Sequence, residues 1–188
     1  SFGSFKSFDP TTNVSPSELK EILTSNIYGI DIDKDAIQMT ILSIQLTLFD
    51  YLDIKEIKHF KMPQLLNKNF FNDDFFNLDG LFNSLRDFDL IVGNPPWGSK
   101  QNSHIEYCKE KNLHISNKQI AQSFLLRVDD FMNESTDVAL IVTSKILYKF
   151  NDLKFRKYFL KNFNLTEVLE FSSIRREIFN NAIGPGSI

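Results

Sequence analysis

The stretch that decides the predicted fold is DLIVGNPPWGSK, residues 89–100. Its three branched apolar residues predict a buried β-strand that stops at Gly93. The chain then continues with Asn94, two prolines and the only tryptophan of the sequence, Trp97. A hydrophobic strand that ends in a carboxamide and two rigid residues indicates a turn with a chemical task.

This turn is rich in hydrogen-bond acceptors. Pro95 and Pro96 fix φ and lack backbone N–H groups, so the turn presents carbonyl oxygens without competing donors. Asn94 adds a side-chain carbonyl. Such a rigid acceptor pair suits an exocyclic amine, which carries two N–H donors. Trp97 offers a flat face for a base, and base stacking contributes about 1–3 kcal/mol. A base held in this way must first leave its duplex.

The segments around the turn alternate between strand-like and helix-like patterns. Short runs of branched and aromatic residues predict strands, and longer runs with apolar residues three or four positions apart predict helices. This alternation indicates an α/β fold with a mainly parallel sheet and helices on both faces. The other predicted strand segments are IYGIDI (27–32), NFFNDDFF (69–76), DVALIVTS (137–144) and LTEVLEF (165–171).

Two helix starts carry capping residues. The order Ser-Pro-Ser-Glu at 15–18 is a capping box with proline at the first helical position, which predicts a helix that ends near Asn26. Asp33 can cap a second, long helix, and its many isoleucines and leucines at helical spacing predict that it is largely buried. Further helices are predicted around 118–132 and 152–161.

The Lys-rich segment 98–117 is predicted to be a long loop. It contains His104, Cys108 and His114, which lack the paired spacing of zinc ligands. We therefore expect surface residues and no metal site there. The single cysteine also excludes an internal disulfide.

Length and composition predict one domain, or a piece of one, over residues 1–188, because 42% hydrophobic content can bury a sizeable core. No segment reads as a membrane span or signal peptide, so we expect a cytosolic protein. The net charge of −3 argues against a protein that grips nucleic acid with its whole surface.

Positive charge gathers near the C-terminal end. Residues 145–188 hold 8 basic and 4 acidic side chains, whereas residues 1–90 hold 8 basic and 14 acidic ones. This basic stretch is either a solvated helix face or a region that contacts DNA phosphates. Its members are Lys145, Lys149, Lys154, Arg156, Lys157, Lys161, Arg175 and Arg176.

Polar side chains follow three of the predicted strands. Asp31 ends the first of these strands, Asp73 and Asp74 follow the second, and Asn94 follows the third. In parallel sheets, ligands bind beyond the carboxyl ends of the strands. A ligand site is therefore expected at this edge.

The NPPW motif at 94–97 resembles the catalytic motif of methyltransferases that modify adenine N6 in DNA. By this resemblance Asn94, Pro95, Pro96 and Trp97 form the catalytic turn. GIDID (29–33) resembles the cofactor-ribose motif of the same family. The resemblance implies that Asp31 binds the ribose hydroxyls and that Ile32 packs on the cofactor's adenine ring.

Two further segments resemble cofactor motifs of this family. DDFF (73–76) resembles the motif after the next strand, which implies that Asp74 binds the adenine amino group and Phe75 lies beside the ring. SFGSF (1–5) resembles part of the first motif and places Gly3 at the cofactor. Downstream, ALIVTS and REIFNNA match the later pattern, and Phe179 is implied to stack on the flipped base opposite Trp97.

The motif order, with the cofactor region before the catalytic turn, is the gamma arrangement and resembles the methylase part of type II restriction-modification enzymes, including the fused IIG kind. The resemblance implies a Rossmann-like methyltransferase fold, S-adenosyl-L-methionine as cofactor, double-stranded DNA as partner of the full-length protein, and the bacterial cytoplasm as location. It also implies that residues 1–188 are a catalytic-domain fragment, with the first strand, the target-recognition domain and any endonuclease outside this sequence.

Two other interpretations stay open. Glutamine-N5 methyltransferases that act on release factors carry a similar NPPY turn, although Trp97 and the REIFNNA stretch favour DNA. A degenerate, non-catalytic DNA-contact module is the other, because Phe5 stands where the family has a second glycine.

Overall fold

The computed structural model describes residues 14–96, 102–144, 146 and 152–171. The chain divides between Phe75 and Phe76 into two compact units. Helices and strands alternate along the described residues, which confirms a mixed α/β chain: α1 (Pro16–Asn26), β1 (Gly29–Asp31), α2 (Lys34–Phe49), α3 (Ile54–His59), β2 (Phe70–Asn72), β3 (Leu90–Gly93), α4 (Ser103–Glu110), α5 (Ile120–Arg127), β4 (Asp137–Leu140) and α6 (Leu153–Asn162).

The two predicted helix caps are confirmed. The Ser15 hydroxyl accepts a hydrogen bond from the Glu18 N–H at 3.3 Å, and the Glu18 carboxylate accepts one from the Ser15 N–H at 2.8 Å. Asp33 caps α2, since its Oδ1 accepts from the Asp35 N–H at 2.8 Å. Both helices therefore begin where local chemistry satisfies their first free N–H groups.

Strands β1 and β2 of the first unit pair in parallel, from Gly29 opposite Phe70 to Asp31 opposite Asn72. The pairing leaves no room for a side chain at Gly29, because a Cβ there would lie 2.9 Å from Cδ1 of the buried Phe70 ring. Glycine is therefore required where the strands approach. The buried core of this unit is formed by α1, α2, β2 and the segments that connect α2 to β2: Leu19, Leu23, Ile37, Leu48, Leu52, Leu65 and Phe70.

A buried asparagine joins α1 to this sheet. Asn69 Nδ2 donates to the carbonyl oxygens of Thr24 and Ile27, each at 3.0 Å, and lies 3.4 Å from that of Leu23. The backbone carbonyl of Asn69 accepts a hydrogen bond from the Gly29 N–H at 2.9 Å. Asn69 thus satisfies carbonyls at the end of α1 and sets the start of the β1–β2 ladder.

Strands β3 and β4 of the second unit also pair in parallel, from Leu90 opposite Asp137 to Gly93 opposite Leu140. Helices α4 and α5 lie between them in the chain, as a parallel crossover requires. Parallel pairing in both units confirms that part of the predicted fold. The second unit has a core cluster of Ala121, Leu126, Ile146 and Phe155.

Arg127 is a buried cation that sequence reasoning missed. It is 1% exposed, forms an ion pair with Asp130 and donates to the side chain of Asn83. Its guanidinium also lies over the Tyr107 ring, 4.7 Å from the centroid. A buried charge needs such partners, and these ones connect α4, α5 and the turn at Asn83.

A loop is predicted over residues 98–117, but helix α4 occupies Ser103–Glu110. The prediction is therefore wrong for that part of the segment. His104 and Cys108, expected at the surface, are 0% and 1% exposed, whereas His114 is exposed as expected. His104 Nδ1 lies 2.8 Å from Ser123 Oγ, and Cys108 donates to the same hydroxyl at 3.4 Å. The i, i+4 spacing of His104 and Cys108 puts both on one helix face, a signal that the surrounding polar residues concealed.

Two further expectations of burial are wrong. Helix α2 leaves Met39, Leu42 and Leu46 46–60% exposed, and β3 exposes Leu90 at 51% and Val92 at 69%. Each sheet has only two strands in the part of the chain that the structure describes, so much apolar surface is not covered. None of the described helices is nevertheless both long and apolar enough to span a membrane.

The predicted strand LTEVLEF (165–171) is not a strand in the structure. Leu165, Val168 and Leu169 are 45–60% exposed. A β-strand is stabilised by pairing, and sequence alone does not supply the neighbouring backbone. Its β-branched and apolar residues were therefore an insufficient signal.

We predict that Asn69→Ala lowers the free energy of unfolding by about 2 kcal/mol, because it removes the donor from buried carbonyls at the end of α1. Urea denaturation followed by circular dichroism measures this change. Asn26→Ala is the matched control, since Asn26 is exposed, and its effect should stay within about 0.5 kcal/mol. Equal stability of both variants would contradict the role of Asn69.

We predict that Cys108 resists thiol reagents in the folded protein. Burial shields the sulfur from the reagent and raises the pKa of the thiol, which disfavours the reactive thiolate form. Ellman's reagent should react at least about a hundredfold more slowly than in denaturant, equal to about 2.8 kcal/mol of opening free energy. Ser25→Cys combined with Cys108→Ala supplies an exposed thiol as control, and equally fast labelling of Cys108 would refute its burial.

Candidate active site

Asp31 and Ile32 form the carboxyl end of β1. The Asp31 side chain is exposed, and its Oδ1 accepts from the Asp33 N–H at 2.8 Å. Among the described residues its second carboxylate oxygen makes no hydrogen bond. Ile32 beside it is 58% exposed, which is unusual for an isoleucine next to a strand. A charged acceptor and an apolar surface thus stand together at the sheet edge.

The end of β2 lies against this point. The Asp73 N–H donates to the Asp31 carbonyl at 3.1 Å, which continues the ladder beyond the strands. Asp73 Oδ1 accepts from the Asp74 N–H at 2.8 Å, so the Asp73 carboxylate helps to form the turn. Asp74 and Phe75 follow and are half-buried. Asp31, Ile32, Asp74 and Phe75 therefore belong to one edge of one sheet.

Asn72 is a residue of this edge that sequence reasoning missed. Its Nδ2 donates to the carbonyl of Asp31 at 3.2 Å and to that of Ile32 at 2.9 Å. These two hydrogen bonds join the Asn72 side chain at the end of β2 to the backbone at the end of β1. The available signal was an amide directly before the aspartate pair, but only the strand register places it opposite Asp31.

Asn94 lies at the carboxyl end of β3 in the second unit and is exposed. Pro95 after it is buried and Pro96 is exposed. The strand beneath is held close to β4, since the Ile141 N–H donates to the Gly93 carbonyl at 3.0 Å. A Cβ on Gly93 would lie 3.0 Å from Leu140 Cδ2, so a larger residue there would push that leucine side chain aside. The turn thus rests on a tight strand pair and a buried proline.

The predicted site residues fall into two groups. The first unit holds Asp31 with Ile32 and Asp74 with Phe75, and the second holds the turn at 94–96. Gly3, Trp97 and Phe179 lie outside the described residues. Among those that are described, no group of three or more histidine, cysteine or acidic side chains could hold a metal ion.

Helix α6 has a basic face and an aromatic face. Lys154, Lys157 and Lys161 recur at helical spacing and are all exposed, while Phe155 is 1% exposed. Phe155 stacks on Phe159 of the same helix, with ring centroids 5.7 Å apart, and belongs to the core cluster of the second unit, so the aromatic face packs against that core. The helix contains no acidic residue, and we call the three lysines its basic face. The predicted basic residues Lys145, Lys149, Arg175 and Arg176 are not among those described.

A model of the family described as Eco57I restriction-modification methylase matches residues 25–179, which covers most of the chain. The matched range includes the ends of β1, β2 and β3. No curated protein matches the chain.

Proposed function

Because this chain belongs to the Eco57I restriction-modification methylase family, we propose that it transfers a methyl group from S-adenosyl-L-methionine to the N6 amino group of a flipped-out adenine in double-stranded DNA. The observation that carries this proposal is the exposed carboxamide of Asn94 at the end of a paired parallel strand, directly before a buried proline.

Asn94 and the Pro95 carbonyl bind the amine in this proposal. Each oxygen accepts one N–H of the adenine amino group, which directs the nitrogen lone pair out of the ring plane. The nitrogen would form a bond to the methyl carbon while the bond between that carbon and the cofactor sulfur breaks. S-Adenosylhomocysteine would then be the leaving group, and one proton of the amine would pass to solvent. The buried Pro95 keeps the acceptors rigid, so the chain acts mainly by positioning and electrostatics.

Trp97 and Phe179 supply the stacking faces for the base in this proposal. An extruded adenine loses its stacking and pairing in the duplex, and aromatic faces on the protein replace part of that free energy. Trp97 follows the acceptor turn directly in the chain, so the ring and the amine of one base can be bound by a single short segment.

The side chains at the carboxyl end of the β1–β2 sheet suit the chemical groups of the proposed cofactor. S-Adenosyl-L-methionine, when bound, supplies an electrophilic methyl group. Its ribose hydroxyls are donors that suit the exposed carboxylate of Asp31, and its adenine ring suits the exposed Ile32. Asp74 would accept from the adenine amino group, with Phe75 beside the ring, and Gly3 would lie in the first cofactor motif.

The order of the site residues along the chain supports a more specific proposal about the class of methyltransferase. Asp31 and Asp74 precede the turn at Asn94, which supports a gamma arrangement on a Rossmann-like fold with helices on both faces. We propose that residues 1–188 form a catalytic-domain fragment of a type II or IIG restriction-modification enzyme in the bacterial cytoplasm. Base recognition, and any endonuclease, would then lie elsewhere in that protein.

The basic face of α6 is proposed to contact DNA phosphates. Lysines bind phosphates without reading the base sequence, and the opposite aromatic face packs the helix against the core of the second unit. By the α-helical rise of 1.5 Å per residue, Lys154 and Lys161 lie about 10 Å apart along the axis. A helix that lies parallel to the DNA axis would pass about three phosphates of one strand over that length, at about 3.4 Å of rise each.

We predict that Asn94→Ala in the full-length protein lowers the rate of methyl transfer to DNA by about 10²–10³-fold, because one of the amine's acceptors is lost. Labelled methyl transfer measures the rate, with a release-factor glutamine peptide as competing substrate. Asn102→Ala is the control, since Asn102 is exposed and does not cap α4 with its side chain. Full DNA methylation by Asn94→Ala would refute the proposed turn chemistry.

The same assay separates the alternatives. Transfer to the glutamine peptide but not to DNA would assign a protein methyltransferase. No transfer and no calorimetric binding of S-adenosylhomocysteine by the wild-type full-length protein would assign a non-catalytic DNA-contact module.

We predict that replacing the basic face of α6 (Lys154→Gln, Lys157→Gln, Lys161→Gln) makes DNA binding less sensitive to salt. The slope of log K against log salt should fall in magnitude by about 2–3, because three phosphate contacts are lost. Fluorescence anisotropy over a salt series measures it. The triple variant Lys55→Gln, Lys58→Gln, Lys61→Gln removes equal charge from exposed positions around α3 and should leave the slope less changed. Equal slopes for the two variants would reject a specific contact at α6.

A further inference from the structure

We propose that Asn72 is a positioning residue, which holds the Asp31 carboxylate in place for the ribose hydroxyls of the cofactor. This inference rests on the proposed function, since it assumes that Asp31 binds the ribose. Asn72 does not touch the cofactor in this proposal. It acts through the backbone, on the two peptide units on either side of Ile32.

The contacts of Asn72 fix two consecutive carbonyl groups. Its single Nδ2 donates to the Asp31 carbonyl at 3.2 Å and to the Ile32 carbonyl at 2.9 Å. The Asp31 carbonyl also accepts from the Asp73 N–H at 3.1 Å. One amide group therefore restrains the peptide units on both sides of Ile32, where β1 bends toward α2.

The Asp31 side chain is held from the other direction. Its Oδ1 accepts from the Asp33 N–H at 2.8 Å, next to the cap of α2. The backbone of Asp31 is thus tied to β2 and its carboxylate to the start of α2. With both ends fixed, the carboxylate has little freedom to turn, and its second oxygen can stay ready for a hydroxyl donor.

Strand formation does not account for an asparagine at this position. The β1–β2 ladder is made by backbone groups, and asparagine is disfavoured in strands. The side chain of Asn72 is exposed, so burial does not require its amide either. Two carbonyl acceptors at the strand end do suit a short side chain with a donor, which asparagine has and ionised aspartate lacks.

The test uses two ligands and the full-length protein. Isothermal titration calorimetry measures binding of S-adenosylhomocysteine and of its analogue in which hydrogen replaces both ribose hydroxyls. We use the ratio of the dissociation constant of the analogue to that of S-adenosylhomocysteine. This ratio reports only the hydroxyl contacts, and it falls when those contacts are lost. Wild type, Asp31→Ala, Asn72→Ala and Asn72→Asp are compared, with Asn26→Ala as control for removal of an exposed asparagine.

The expected result is selective. Asn72→Ala and Asn72→Asp should bind S-adenosylhomocysteine about tenfold more weakly, equal to about 1.4 kcal/mol, but bind the analogue within about twofold of wild type. The ratio should therefore move toward that of Asp31→Ala. Asn26→Ala should keep the wild-type ratio.

Three outcomes would overturn the inference, and they are distinguishable. If both Asn72 variants weaken the two ligands equally, Asn72 has only a structural role. If they change neither ligand while Asp31→Ala lowers the ratio, Asp31 binds the ribose without help from Asn72. If wild type binds neither ligand, or Asp31→Ala keeps the ratio, the proposed role of Asp31 fails, and the inference fails with it.

Discussion

Parallel pairing of very short strands is the constraint on which the rest of this structure depends. A ladder of three residues, such as β1 with β2, makes few backbone hydrogen bonds and needs support at its ends. Asn69 gives that support where the ladder starts, by joining α1 to the first rung, and Asn72 gives it where the ladder ends. Two asparagine side chains thus support the strand pair that contains Asp31.

Parallel direction also explains why the chemistry collects at strand ends. The strands of each unit finish at the same edge, and ligands of parallel sheets bind beyond this edge. Asp31 and the Asp73–Asp74 pair occupy that edge in the first unit, and Asn94 occupies it in the second. All three strand ends lie within residues 25–179, the range that matches the Eco57I restriction-modification methylase family.

The interior of the second unit contains polar and charged side chains. Arg127, His104 and Ser123 are all buried, and each is matched with hydrogen-bonding or aromatic partners. Such groups stabilise a fold only when their partners come together, because an unmatched buried charge is strongly unfavourable. Residues that look solvent-exposed in the sequence therefore form part of its core.

The sequence by itself determined what depends on neighbours in the chain: the caps at Ser15 and Asp33, the strand-like segments and the acceptor residues that follow them. These features follow from local hydrogen bonding and side-chain periodicity, which act over a few residues. Only the tertiary structure decided the burial of α4, the lack of pairing at 165–171 and the contact of Asn72 with Asp31, which is 41 residues away. Burial and strand register depend on segments distant in the chain, and no local pattern specifies which of them meet.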